Sequence, residues 1–418
     1  VGSSVPSEAR LDEPAGRISF MTPRVTRRQL LLGGATLLPL PVVAQSDWSR
    51  TEQAARGQTV YFNAWAGSER VNAYLHWAAG ELQRRQAVRL EHVKITDTAE
   101  AIRRVRAEKA AARTDGSVDM VWINGENFLA MKREALLFGP FAEALPSYRY
   151  VDTVGKPTTR VDFSEPVDGL EAPWGMAQYT FFAEPGRAGP LPSSMAELLD
   201  WAGRHPGRFT YPRPPQFLGT TFLKQALLEL SADRQPLAQP MTAQTFAAVT
   251  PALWRYLDAL HPHLWRQGKQ FPASPAAARQ MLADGELFIS TAFNPNEAAN
   301  QIAVKALPAT VVSYQHSAGT IGNTHFLAIP FNARAKEGAQ VAIDFLMSPA
   351  AQARKADIAV WGDPTVLAPA KLPADQRRAF DAAGVPGAVL KPAPTWPEPH
   401  GSWVDPLERE WSRRYGVS

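Results

Sequence analysis

Apolar positions recur along this chain with two periods, and the places where one period gives way to the other mark out its elements. The stretch "DWSRTEQAARG" reads as a helix stopped at Gly57. "TVYFNAWAGS" then gives a buried strand over Thr59–Ala64 that runs into a polar, aromatic loop. "RVNAYLHWAAGELQRRQ" puts Val71, Tyr74, Leu75, Ala78 and Leu82 on one helical face. "VRLEHVKI" alternates Val88, Leu90, His92 and Lys94 against Arg89, Glu91, Val93 and Ile95, which predicts a second strand. "DTAEAIRRVRAEKAAART" carries a start signal at Thr96–Glu100 and predicts a helix to about Arg113. A third strand, Val118–Ile123, leads into Asn124, Gly125, Glu126 and Asn127, after which Phe128, Met131, Leu136 and Leu137 return to helical spacing. Such alternation predicts a parallel α/β lobe.

The rhythm breaks over 140–180, where Pro140, Pro146, Pro157, Pro166 and Pro173 punctuate the chain. Met176–Ala183 follows as an extended crossing segment. A second αβ set then begins: a helix capped by Ser193 or Ser194, a strand "RFTYPRP", and a helix opening at Thr220-Thr221. Residues 245–268 read as helical, "SPAAARQMLADGE" as another helix, and "LFISTAFNPNEAAN" as the strand after it. The chain returns through a β-rich stretch around 305–330 into a helical pair. A Pro-rich tail from Pro364 ends in an amphipathic helix near Leu407–Tyr415. The organisation predicted is a hinged clamshell of two αβ lobes joined by extended segments near 175–183 and 305–330. Residues 45–175 plus 310–418 form lobe 1 with a C-terminal extension, residues 176–309 form lobe 2, and residues 1–44 lie upstream of both.

That upstream part has its own chemistry. From Met21, Arg24, Arg27 and Arg28 precede an apolar run from Leu30 to Val43, closed by Val42-Val43-Ala44. This is the layout of a secretory signal cleaved near Ala44, and "TRRQLLL" gives it a twin-arginine character. A small polar segment precedes Met21. The apolar run is too short to span a bilayer comfortably. A periplasm-like destination follows. Residues 1–44 hold five basic and three acidic residues, so the whole-chain charge of +4 falls to +2 beyond them. So small an excess, without a basic block, argues against nucleic acid. Cysteine is absent, which excludes disulfides, thiolate nucleophiles, Cys-ligated metals and lipidation at a Cys. His261-Pro-His263 is the one close histidine pair, and it reads as a helix end more readily than as a metal site. No G-x-S-x-G elbow and no P-loop is present in the sequence.

The leader, "TVYFNAWAGS", "VKITDTAEAIRRV", "GSVDMVWINGENF", "APWGMAQY" and "IPFNARAKEGAQVAIDFLMSPAAQARK" together resemble ABC-transporter solute-binding proteins of the YnjB type. The resemblance covers nearly all of the chain after the leader, and "FNAWAGS" with "WINGENF" carries most of its specificity. It implies a type II periplasmic-binding fold, no chemistry of its own, and delivery of a small molecule to a membrane permease. The family is associated with thiamine.

In an open α/β sheet, ligands bind beyond the carboxyl ends of the strands. That directs attention to a short set of residues, each with a plainer alternative. Trp65 would stack a ring on the cleft wall or pack between lobes. Ser68 and Glu69 open a helix whose N–H groups could face an anion. Asn124, Glu126 and Asn127 would hold a cationic ligand, or turn and cap the chain. Trp174, Gln178 and Tyr179 on the crossing strand would complete an aromatic cage for a flat cation such as a thiazolium. Thr220 and Thr221 would seat a phosphate or carboxylate, or cap their helix. Asn294 and Asn296 would end a lobe 2 strand at the cleft, or make an Asn-Pro turn. The reading is therefore a monomeric periplasmic protein without cofactor or metal. Its ligand is thiamine or a thiamine phosphate. The alternatives are a polyamine or other small cation, or an exported cofactor-dependent enzyme.

Overall fold

The computed structural model describes residues 45–380, 386–389 and 393–416. The leader, its twin-arginine signal and its cleavage point lie outside the described residues. Strands β1 (Thr59–Trp65), β2 (Arg89–Ile95) and β3 (Met120–Ile123) run parallel, with β1 between the other two. Val60, Phe62 and Ala64 are buried on one face of β1, and Val121 and Ile123 of β3 belong to a separate core on the other. Helices Glu69–Gln86 and Lys336–Met347 supply Val71, Tyr74, Leu75, Ile343 and Leu346 to one side. Helices Thr98–Ala110 and Glu126–Arg133 supply Ile102, Val105, Phe128 and Met131 to the other.

The expected crossing segment is two strands, β4 (Glu171–Gln178) and β5 (Thr180–Ala183). β4 stays in the first sheet; β5 enters a second, antiparallel sheet between β6 (Ile289–Ala292) and β7 (Val312–Tyr314). The return is β8 (Thr320–Ala328), antiparallel to both β3 and β4. The first lobe is thus a parallel α/β unit closed by two antiparallel crossing strands. Around the second sheet, Tyr179, Phe181, Trp201, Tyr211, Phe222 and Leu257 form a separate core. "RFTYPRP" is no strand: Pro212, Pro214 and Pro215 remove the N–H groups a ladder needs, although Trp265 and Phe288 still donate to the Phe209 and Arg208 carbonyls.

The tail departs most from expectation. Its strand β9 (Thr395–Trp396) pairs in parallel with the start of β8. Its helix Val404–Tyr415 then buries Leu407 and Trp411, with Trp403 just before it, in the core of the second lobe. Trp411 Nε1 donates to Tyr211 Oη at 2.9 Å. The amphipathic face is real, but its partner is lobe 2, so 310–418 does not belong whole to lobe 1. Among the described residues three connections join the lobes: Gln178–Thr180, Tyr314–Thr320, and the tail. Among the described residues no helix is long and apolar enough to cross a membrane.

Candidate ligand-binding cleft

The carboxyl ends of β1, β2 and β3 point toward the second lobe. Trp65 ends β1 and is 41% exposed. Its indole lies over Gly67, where any Cβ would overlap the ring. Ser68 is the half-buried N-cap of helix Glu69–Gln86, with its hydroxyl outside the cap bond, and Glu69 is exposed beside it. After β3, Gly125 takes φ 63 and ψ −131, a conformation reserved for glycine, with the Phe163 ring 2.8 Å from where a Cβ would sit. Its N–H donates to Asp162 Oδ2 at 2.6 Å. This turn starts the helix Glu126–Arg133 and aims Glu126 at the seam between lobes. Asn124 is half-buried beside it, and Asn127 Nδ2 donates to Glu126 Oε1 at 3.2 Å.

From the other side comes helix Phe217–Leu230, apolar nearly all round, with Lys224 in its middle. Lys224 is 1% exposed, as is Glu398 of the tail, and Nζ lies 2.7 Å from Glu398 Oε2. The ammonium sits 4.2 Å from the Phe163 ring centroid and 5.7 Å from that of Phe217. Asn323 of β8 donates to the second Glu398 oxygen at 3.1 Å. Thr220 Oγ1 donates to Glu408 Oε1 on the tail helix at 2.6 Å. Phe217, partly exposed, meets Phe293 edge to face at 5.2 Å. The seam is therefore walled by lobe 1, lobe 2 and the tail, whose Gly401 rests 3.3–3.5 Å, counted from a Cβ built there, from the backbone of Gly125 and Glu126.

Burial sets the electrostatics. The Glu126 carboxyl is pushed up from 4.5 to about 7, chiefly by desolvation, with Glu408 and Glu398 adding and Lys224 opposing. Glu408 is raised by burial against its Thr220 bond, with Asp405 and Asp97 adding. Glu398 is raised by burial against Lys224 and Asn323, and Asp162 is raised far by burial. Four carboxyls thus share one ammonium.

Other expected site residues lie elsewhere. Trp174 is wholly buried in an aromatic cluster with Phe62, Tyr74, Trp122 and Trp361, at centroid distances of 5.1–6.4 Å. It has no face left for a ligand, so the expected cage is corrected. Tyr179 is likewise core, stacked edge to face on Phe181. Gln178 is half-buried at the hinge, its amide donating to the Ala393 carbonyl at 3.2 Å. The phosphate seat at Thr220-Thr221 is also corrected. The helix begins at Phe217, the Gln216 side chain occupies the N–H groups of Leu218 and Gly219, and Thr221 bonds the Phe217 carbonyl. Asn294 makes the turn, accepting from Asn296 N at 2.9 Å, while Asn296 Nδ2 donates across to Gly362 of lobe 1 at 2.7 Å. His261 pairs with Tyr211 Oη at 2.7 Å inside lobe 2, and among the described residues no cluster of metal-ligating side chains occurs.

Lys224, Glu398, Glu408 and Phe163 were missed. A lone charge inside the apolar run "TTFLKQALL" was the available signal for Lys224. Two surface hollows, one around Trp254 and Arg414 and one around Phe141 and Arg160, are each walled by one lobe with its adjoining segments and lack this convergence of buried charge.

Residues 77–379 match the model of a family described as bacterial extracellular solute-binding protein. The chain is 48% identical over 388 residues to protein YnjB of Escherichia coli (strain K12), covering 93% of this chain and 98% of that protein. Among solved structures it is similar to the periplasmic binding protein AfuA from Actinobacillus pleuropneumoniae, with a TM-score of 0.60 at 14% identity over 86% of this chain and 99% of that one. It is also similar to the spermidine/putrescine substrate-binding protein PotD from Streptococcus pneumoniae, with a TM-score of 0.54 at 10% identity over 86% and 100%. These structural likenesses concern the fold, that of the type II periplasmic binding proteins.

Proposed function

This chain belongs to the bacterial extracellular solute-binding proteins that serve ABC importers, and from that premise we propose that its solute is a small organic cation, held in the seam between lobes. One observation carries the reading: Glu126, Asp162, Glu398 and Glu408 converge there on the single ammonium of Lys224. A seam with surplus carboxyls favours a positive guest and disfavours an anion. Trp65 and Phe217, both partly exposed at this seam, add faces for cation–π attraction worth about 0.5–2 kcal/mol each. An aromatic cation such as thiamine uses both features. Its phosphates fit less well, because Gln216 fills the helix start that would have received them. Asn124, Asn127 and Ser68 supply neutral polar edges. A polyamine is the second reading, favoured by the spread of carboxyls along the seam and by the name of the structurally similar PotD. The protein travels to the periplasm on the leader in residues 21–44, and binding closes the lobes for docking on the permease.

The test is a thermal-shift panel on the chain from Gln45 onward, with thiamine, its mono- and diphosphate, spermidine, putrescine and basic amino acids. A ligand at a hundredfold excess over its Kd adds about 2.7 kcal/mol. Thiamine is expected to raise the melting temperature, and Trp65→Ala to abolish the rise. A shift with polyamines alone selects the second reading. No shift with any cation sinks both.

A further inference from the structure

The tail does more than complete the second lobe. Between Ala393 and Tyr415 it touches every wall of the seam. Ser164 Oγ donates to the Glu398 carbonyl at 2.9 Å and Gly401 N to the Phe163 carbonyl at 3.2 Å, which fixes it to lobe 1. Trp403, Leu407 and Trp411 fix it to lobe 2. Glu408 projects from the inner side of its helix, one turn after Val404, and is held by the Thr220 hydroxyl. Elsewhere in the seam, around Glu126 and Glu398, polar atoms are buried and unused. Asp162 Oδ1 and Asn323 Oδ1 have no hydrogen-bond partner among the described residues, although both side chains are at most 3% exposed. Lys224 Nζ has its ion pair but no well-aligned hydrogen bond. Buried groups of this kind rarely go without partners unless something else supplies them.

We propose that the tail is a third wall of the binding cleft and that Glu408, facing Glu126 from the opposite lobe, is a specificity-determining residue that receives the positive nitrogen of the ligand. This rests on the organic-cation reading above. The charges acting on the pair are Lys224, Glu398 and Asp162 at Glu126, and Asp405, Lys224 and Asp97 at Glu408, whose carboxylate also accepts from Thr220. Lys224 is the only cation among them, and Glu398 already holds it. Glu126 and Glu408 accept from Asn127 and Thr220 but form no ion pair among the described residues, so a guest cation would find the pair without one. Thr220 becomes a positioning residue, aiming the carboxylate and not seating an anion.

Calorimetric titration of the chain with thiamine and with spermidine at pH 8 tests this. Glu408→Gln keeps an acceptor for Thr220 and removes the charge. It should weaken whichever cation the wild type binds by about tenfold or more, with the ligand-free melting temperature not lowered. Glu408→Asp keeps the charge and should retain more affinity than Glu408→Gln. Glu410→Gln, on the same helix but paired with Arg413 and Arg414, should bind as wild type. Wild-type affinity in Glu408→Gln overturns the proposal and leaves the cation reading intact. Equal loss in Glu408→Gln and Glu408→Asp reduces Glu408 to packing and overturns it as well. If the wild type binds neither cation, the cation reading falls and takes this proposal with it.

Discussion

Trp65 and Trp174 show how one residue type meets opposite environments, the first partly exposed and the second wholly buried. Trp174 fills the middle of the first lobe, so Trp174→Ala should lower stability by about 3–5 kcal/mol, measured by urea unfolding, whereas Trp65→Ala should change it little. The sequence could not tell them apart, since both stand beside strand-like runs and only the packing of Tyr74, Trp122 and Trp361 decides. The position of Glu126, at a helix start just past a strand and a Gly, was legible in the sequence. Its environment was not, because its neighbours lie near positions 162, 224, 398 and 408 of the chain. That environment has a pH signature. The unfolded carboxyl titrates near 4.5 and the folded one near 7. Between those values only the folded state keeps the proton, so the stability that Glu126 contributes falls as pH rises through this window and stays level above it. Melting curves across pH 4–8 should therefore show Glu126→Gln gaining on the wild type up to about pH 7. A bound cation favours the ionised form, so cation affinity should rise over the same window.

At the scale of elements, the strands and helices of the first lobe followed from periodicity because both sheet faces are covered and the helices are amphipathic. The helix at Phe217 was misplaced because its cap is Gln216, a residue type outside the usual cap set, and the hydroxyls of Thr220 and Thr221 drew attention instead. Its buried Lys224 links three segments through Glu398. A pair this deep gives little net stability, but halving it leaves an uncompensated charge. Lys224→Met should cost about 3–5 kcal/mol. Lys224→Met with Glu398→Gln should recover most of that, since Gln still accepts from Asn323; chemical denaturation of the two variants measures the difference.

For the whole molecule, two lobes and two crossings were readable, because a switch from alternating strand and helix to long extended runs has few other meanings. The third crossing was not. An amphipathic helix advertises that it will be buried and does not name against what. Here the choice of lobe 2 turns a simple clamshell into one with three connections, and it brings Glu398 and Glu408 into a seam they would otherwise never reach.

That choice also governs the order of manufacture. The first lobe is finished only when the helix Lys336–Met347 has been made, and the second only when Trp403, Leu407 and Trp411 exist. Tyr211 waits 200 residues for Trp411. Contacts of such separation are slow to form. A growing chain therefore holds Trp201, Tyr211 and Phe222 beside a gap while roughly 200 further residues are added, and the helix that fills it is made after the strands of both lobes.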